Sequence, residues 1–348
     1  MTPSNDASPE RTHLRLGFVA LSDAAPLIAA QRLGLGRRYG LTLELRRQPS
    51  WASIRDTLLS GEIDAAHALY GLVYGVQLGI GGPQGEMAAL MVLNRNGQAI
   101  TFSNRLADAY RDSSSVRAAL ASLQRKPVFA QTFPTGTHAM WLYHWLADHG
   151  VGPLDDIRSV VIPPPGMAAA LADGELDGFC VGEPWNAVAE ARGAGRTVAM
   201  TSEVWPDHPE KALACRREFA ALYPNTARAL IRTLLDACRW LDSPEHRIEA
   251  AGWLAAPDAI GVPLAQIAPR LLGDWGAGPY ARPPRPVRFF DGGAVNPPRA
   301  ADGRWFLSQY RRWNILSGPQ DDGAIADAVA QTALYREAAA LSGIPVVA

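Results

Sequence analysis

The chain has 348 residues, 48% of them hydrophobic and 19% charged, and a net charge of −1. That length and composition suit two domains with full cores and exclude a disordered chain, and the near-zero charge removes the long-range attraction that direct binding to nucleic acid or an anionic membrane needs. No run of about 18 apolar residues is present to span a membrane, and the three cysteines, Cys180, Cys215 and Cys238, read as buried thiols of a reducing compartment.

The first twelve residues are polar, no apolar stretch follows them, and no cysteine near the start invites a lipid. The expectation is therefore a cytoplasmic protein. A short apolar strand is expected over 14–19 and a helix over 24–39, stopped by Gly40. Alternation over 41–46 predicts a half-buried strand. A helix over 50–60 has Ser50 as N-cap and Gly61 as stop. Another strand follows over 64–69. Repeated strand-then-helix units imply parallel sheet covered by helices.

A second set begins after Asn104. It has strands at 128–131, 160–162 and 178–182 and helices at 137–148 and 168–172. Pro184 then sits where the first turn of a helix tolerates proline. From 212 to 241 the pattern is mostly helical. Residues 279–298 are rich in proline and glycine and read as a long loop, and 325–341 is helical again. This gives lobe one as 13–103 plus 212–348 and lobe two as 104–211, with two chain crossings between them. Each lobe carries one copy of a short echo, Gly61-Glu62-Ile63-Asp64 and Gly174-Glu175-Leu176-Asp177, placed between a helix and a buried strand.

Three segments put hydrogen-bond donors at expected helix starts: Ser50-Trp51, Thr135-Gly136-Thr137-His138 and Gly182-Glu183-Pro184-Trp185. The first turn of a helix has free N–H groups and a positive partial charge, which suits an anion. A planar monoanion offers only acceptors. The Trp51 indole donates, the Gln98 amide donates twice, His138 donates from its ring, and Gly182 exposes its backbone N–H. Lysine occurs only at Lys126 and Lys211, while arginine supplies every other base. Lys211 is the expected source of positive charge. Each of these residues taken alone reads more readily as a packing, capping, turn or surface residue, so the reading rests on their combination.

Other chemistry finds no support. The seven histidines make no His-Glu-x-x-His, and there is no paired Cys-x-x-Cys, phosphate-binding glycine loop or Gly-x-Ser-x-Gly elbow. Asp64 and His67 lie three apart on one strand and point to opposite faces, which argues against an acid/base pair. Trp141 and Trp145 read as core.

Together these segments resemble the nitrate- and bicarbonate-binding family of ABC-transporter solute receptors. The matching pieces are Leu16-Gly17-Phe18 with Asp23-Ala24-Ala25-Pro26, Ser50-Trp51-Ala52-Ser53-Ile54-Arg55-Asp56, Gly61 to His67, and Asn96-Gly97-Gln98-Ala99-Ile100-Thr101. They continue with Phe133-Pro134-Thr135-Gly136-Thr137-His138, Phe179 to Asn186, Pro209-Glu210-Lys211, Trp305 and Arg312-Trp313. The resemblance implies a type II periplasmic-binding-protein fold, two α/β lobes with an interlobe cleft. It implies nitrate or nitrite held by Trp51, Gln98, His138, Gly182 and Lys211, with no cofactor and no metal. Bicarbonate receptors of the family tend to carry an acidic residue where this chain has Lys211, with calcium bridging to the ligand. The expected absence of an export signal makes the chain similar to the cytoplasmic nitrate/nitrite sensor of the NasS type. That resemblance implies an RNA-binding antiterminator of the NasT type as partner, released when the anion binds, and no direct contact with nucleic acid or membrane. The alternative is the receptor of a nitrate ABC transporter, and an enzyme on the same fold ranks third.

Overall fold

The computed structural model describes residues 7–276 and 285–345. Among them, ten strands form two five-stranded sheets. The strands are β1 (His13–Val19), β2 (Thr42–Gln48), β3 (Ala65–Leu69), β4 (Met87–Arg95), β5 (Gln98–Ser103), β6 (Val128–Gln131), β7 (Arg158–Val161), β8 (Gly178–Gly182), β9 (Gly195–Met200) and β10 (Pro209–Arg216).

The first sheet has the order β2-β1-β3-β10-β4 and the second β7-β6-β8-β5-β9. In the first, β1 runs parallel to β2 and β3, and β10 runs antiparallel to β3 and β4. In the second, β6 runs parallel to β7 and β8, and β5 runs antiparallel to β8 and β9. The two halves therefore share one topology. Each receives its antiparallel strand directly from the other half, through a crossing of the chain.

Strand pairing places those crossings at 96–97 and 201–208. Gln98–Ser103 thus belongs to the second sheet and Pro209–Arg216 to the first, where the sequence reading had divided the chain after 103 and after 211. The first crossing turns on Asn96 and Gly97, both at positive φ (59° and 93°). The second is tied to it: Asn96 Nδ2 donates to Asp207 Oδ1 at 3.0 Å, and the Asn96 N–H donates to the His208 carbonyl at 3.2 Å.

Two other expectations change. Residues 212–216 are strand, not helix. Alanine favours helix weakly, and pairing with β3 and β4 on both sides overrides it. The expected helix over 24–39 is broken: Ala25–Arg32 is α-helix, Gly34 turns left-handed at φ 63°, and Leu35–Tyr39 is a 3-10 turn. Residues 279–284 of the expected long loop lie outside the described residues. The expected C-terminal helix is two, Asp322–Val329 and Thr332–Leu341.

Local signals elsewhere act as read. The Ser50 hydroxyl caps the helix Trp51–Ser60 by accepting from Ser53 N–H at 3.1 Å, and Gly61 ends it at φ 77°. The short echo between the lobes is a structural one. Asp64 accepts from the Arg15 backbone N–H at 2.8 Å, Asp177 from that of Val128 at 2.8 Å, and each carboxylate also binds an arginine, Arg15 and Arg125. Each aspartate pins the start of its buried strand to the strand beside it. Trp141 and Trp145 are buried, as expected of core residues.

Candidate functional site

The ends of several strands from both sheets meet between the lobes. From the first lobe come the turn Ser22–Ala24 after β1, His67 in β3, Trp51 at the start of the helix Trp51–Ser60, and Glu210 and Lys211 at the start of β10. From the second come Gln98, which opens β5, Gly182, which closes β8, and Thr137 and His138, which open the helix Thr137–Asp148. Ligands of α/β sheets bind beyond strand ends for this reason: loops and helix starts from different strands converge there.

The five residues expected from sequence are brought together. Lys211 Nζ lies 5.7 Å from the centre of the Trp51 ring. Lys211 Nζ and Gln98 Nε2 both donate to Asp23 Oδ2, at 2.8 and 3.0 Å. His138 Nε2 donates to Gln98 Oε1 at 2.9 Å. Gly182 abuts the same amide so closely that a Cβ there would sit 2.5 Å from Gln98 Oε1. Trp51, Gln98, His138 and Lys211 have no exposed surface.

Sequence reasoning missed the acidic half of this cluster. Asp23 also accepts from His67 Nε2 at 2.8 Å. Glu210 accepts from Lys211 Nζ at 2.9 Å, from Trp141 Nε1 at 2.8 Å and from the Thr137 hydroxyl, and stands 3.4 Å from His138 Nε2. Lys211 is therefore not an uncompensated charge, as the sequence suggested, but a cation between two carboxylates. Asp23, His67 and Glu210 stood in quoted motifs without a role. The one available signal was a carboxylate adjoining the sole lysine of its lobe. The rejected Asp64–His67 pair is indeed no pair: Asp64 binds Arg15 and Arg11, and His67 binds Asp23.

Burial shapes the protonation of the cluster. It would push Asp23 up, but Lys211 and then His67 outweigh it and hold that carboxyl well below the usual range. Burial would lower Lys211, yet Asp23 and Glu210 leave it raised. Glu210 is raised because burial outweighs Lys211, Thr137 and Trp141. Burial lowers His67 despite Asp23. Burial and then Lys211 lower His138, and burial takes His208 down to about 3. With both carboxylates charged, Lys211 charged and the histidines neutral, the cluster carries a net −1.

Two of its buried atoms have no hydrogen-bond partner, Trp51 Nε1 and His67 Nδ1. They belong to neighbouring rings whose centroids are 5.5 Å apart. Contacts across the cleft hold the lobes around the cluster. Ser22 N–H donates to the Glu183 carbonyl at 2.7 Å, and Trp185 Nε1 to the Ala20 carbonyl at 2.8 Å. Ser22 and Asp23 also line a recess with Glu183 and Arg270. Pro184 precedes the short helix Trp185–Ala191 rather than lying within its first turn. Among the described residues, no group of three or more His, Cys, Asp and Glu side chains is arranged to hold a metal ion, and no helix is long and apolar enough to cross a membrane.

Comparison with known proteins agrees with this architecture. The sequence profile of the NMT1-like family matches residues 7–255. The nitrate/nitrite binding protein NrtA of Synechococcus elongatus is 37% identical over 98% of this chain and 80% of its own. The nitrate import ATP-binding protein NrtC of Synechocystis sp. is 34% identical over 97% of this chain, which spans only about half (51%) of that longer relative. The crystal structure of the periplasmic nitrate-binding protein NrtA from Synechocystis superposes with a TM-score of 0.89 at 34% identity, covering 97% of this chain and 91% of that one. The chain has the type II periplasmic-binding-protein fold and belongs to the NMT1-like family, with nitrate-binding receptors among its relatives.

Proposed function

We propose that this chain binds nitrate or nitrite in the buried cluster between its lobes, and that closure around the anion is its output. The observation that carries this reading is the convergence of Trp51, Gln98, His138, Gly182 and Lys211, from five separate segments, in one cluster with no exposed surface among its four larger side chains. The likeness to NrtA over nearly the whole chain supports nitrate as the ligand. Lys211 supports nitrate or nitrite over a calcium-bridged bicarbonate, because it stands where the bicarbonate receptors tend to carry an acidic residue.

A site this enclosed admits its ligand only when the lobes part. The crossings at 96–97 and 201–208 are the natural hinge. The ligand bridges both lobes only in the closed form and shifts the population toward it.

The role we assign to that closure is sensing. The closed form would release an RNA-binding antiterminator of the NasT type in the cytoplasm, through the coupling that links two binding events. The net charge of −1 supports a protein that leaves RNA to its partner. A second reading, favoured by the NrtA likeness, is the receptor of a nitrate ABC transporter. Both are binding roles without catalysis.

Calorimetric titration with nitrate, nitrite and bicarbonate tests the ligand. Heat with nitrate or nitrite at micromolar affinity, about −8 kcal/mol, is expected; a preference for bicarbonate overturns the assignment. Pull-down from cells grown with and without nitrate tests the role. An RNA-binding protein retained only without nitrate supports the sensor, and a membrane permease supports the receptor.

A further inference from the structure

Two features of the cluster have no place in the five-residue reading. The first is charge. With both ionised, Asp23 and Glu210 outnumber Lys211, so a monoanion entering alone would leave two uncompensated negative charges in a fully buried site. The second is the unpartnered Nδ1 of His67, beside the equally unpartnered Nε1 of Trp51. His67 Nε2 is committed as donor to Asp23 Oδ1. In a neutral ring Nδ1 is then a lone pair. Nitrate has only acceptors, so neutral His67 would set a lone pair against it. A protonated ring donates from both nitrogens, to Asp23 on one side and to the anion on the other.

We propose that His67 is a sixth contact of the anion and takes up one proton as the anion binds, so that ligand and proton enter together. This rests on the reading of the cluster as an anion site. The groups facing His67 fit the role. Asp23, from the turn after β1, favours the protonated ring, and Lys211, from β10, opposes it. From the second lobe, His138 stays neutral. Glu210, beyond Lys211, is engaged with Thr137 and Trp141. A bound anion adds the second negative charge that tips the ring to its charged form. His138 is not the proton carrier, because Thr132 Oγ1 meets its Nδ1 at 2.6 Å and Gln98 Oε1 its Nε2. His208 is engaged too, with Nε2 2.8 Å from Thr201 Oγ1.

The test is calorimetric titration of the full chain with nitrate at pH 7.5, in buffers of different ionisation enthalpy. The slope of observed heat against ionisation enthalpy counts the protons bound. About one proton is expected, with affinity falling toward about tenfold per pH unit between pH 7 and 9. His67→Gln keeps a donor but cannot charge. It should bind at least about tenfold more weakly at pH 7, with no proton uptake and no pH dependence. Should His67→Gln fail to fold, 15N spectra of the wild-type ring decide: nitrate should turn both His67 nitrogens into donors. Nitrate binding without proton uptake, or uptake that survives in a folded His67→Gln, overturns the proposal. Silence with nitrate, nitrite and bicarbonate alike sinks the anion site itself, and is told apart by the missing heat.

Discussion

The ammonium of Lys211 meets the carboxylate of Asp23 at 2.8 Å, with no exposed surface on the lysine side chain. A second carboxylate, Glu210, binds the same nitrogen at 2.9 Å. This arrangement gives a physical reason for lysine at 211 in a chain whose one other lysine is Lys126 and whose remaining bases are arginine. A compact ammonium with three donors fits between two carboxylates, where a planar guanidinium fork would need more room. It also sets the electrostatics of the site: with both carboxylates ionised, the cluster is anionic before any ligand arrives. At an effective dielectric of about 20, a further negative charge about 6 Å away costs ~3 kcal/mol, which is the repulsion a co-bound proton removes.

Lys211→Met should lower stability by about 3–5 kcal/mol at pH 7, because it strands the Asp23 carboxylate in the interior. Adding Asp23→Asn should recover part of that loss. Denaturant unfolding of both single variants and the double variant measures the coupling. Simple additivity would mean that the pair is not coupled.

Gly182→Ala separates site from fold. The new Cβ would stand 2.5 Å from Gln98 Oε1 and 3.1 Å from Leu21 Cδ2. Gln98 can swing away, so the fold should survive with a loss of about 1–3 kcal/mol. Its amide then leaves both Asp23 and His138. Nitrate affinity should fall by about tenfold or more, one charge-assisted bond's worth. Unchanged affinity in calorimetry would remove Gln98 from the site.

Glu183 reports on the closed cleft. It is buried beside Arg270, at 3.8 Å, and burial pushes its pKa up from 4.5 to about 7. A carboxyl raised in the folded state binds more protons folded than unfolded. Its contribution to stability is complete below pH 4.5 and is lost as pH rises through about 7. Glu183→Gln should therefore stabilise the protein at pH 8 by up to about 3 kcal/mol relative to its effect at pH 4.5. Thermal unfolding of both proteins across that range checks it. Parallel curves would contradict it.

The paired aspartates give a fourth expectation. Asp64 and Asp177 hold equivalent backbone N–H groups in the two lobes, and each also binds arginine, Asp64 through Arg15 and Arg11 and Asp177 through Arg125. Asp64→Ala and Asp177→Ala should each cost about 1.5–3 kcal/mol, within about 1 kcal/mol of one another. Urea unfolding measures both. A cost confined to one lobe would mean that the likeness is geometric only.

These two aspartates were legible in the sequence because their signal is local: a helix-stopping glycine, then an acidic residue, then a buried strand. The Ser50 cap and the Gly61 stop were legible for the same reason. The division of the lobes was not. The turn at Asn96-Gly97 joins two apolar strands of the same character, and nothing along the chain says that the second pairs elsewhere. The strand at 209–216 was hidden by its alanines, which read as helix until two neighbouring strands enclose them. The five donors were expected as a set, from helix starts and donor chemistry and then from the family likeness. Their electrostatics were misjudged because Asp23 is far from Lys211 in sequence, and no local pattern marks a carboxylate that folding will bury against it.

The most direct measurement is a crystal structure of the chain grown with nitrate. The account predicts a planar three-oxygen density in the cluster, with an oxygen about 3 Å from Trp51 Nε1 and others within reach of Lys211 and His67. Nitrate bound only at surface arginines, with Trp51 Nε1 still unpartnered and the lobes closed on an unaltered cluster, would contradict it.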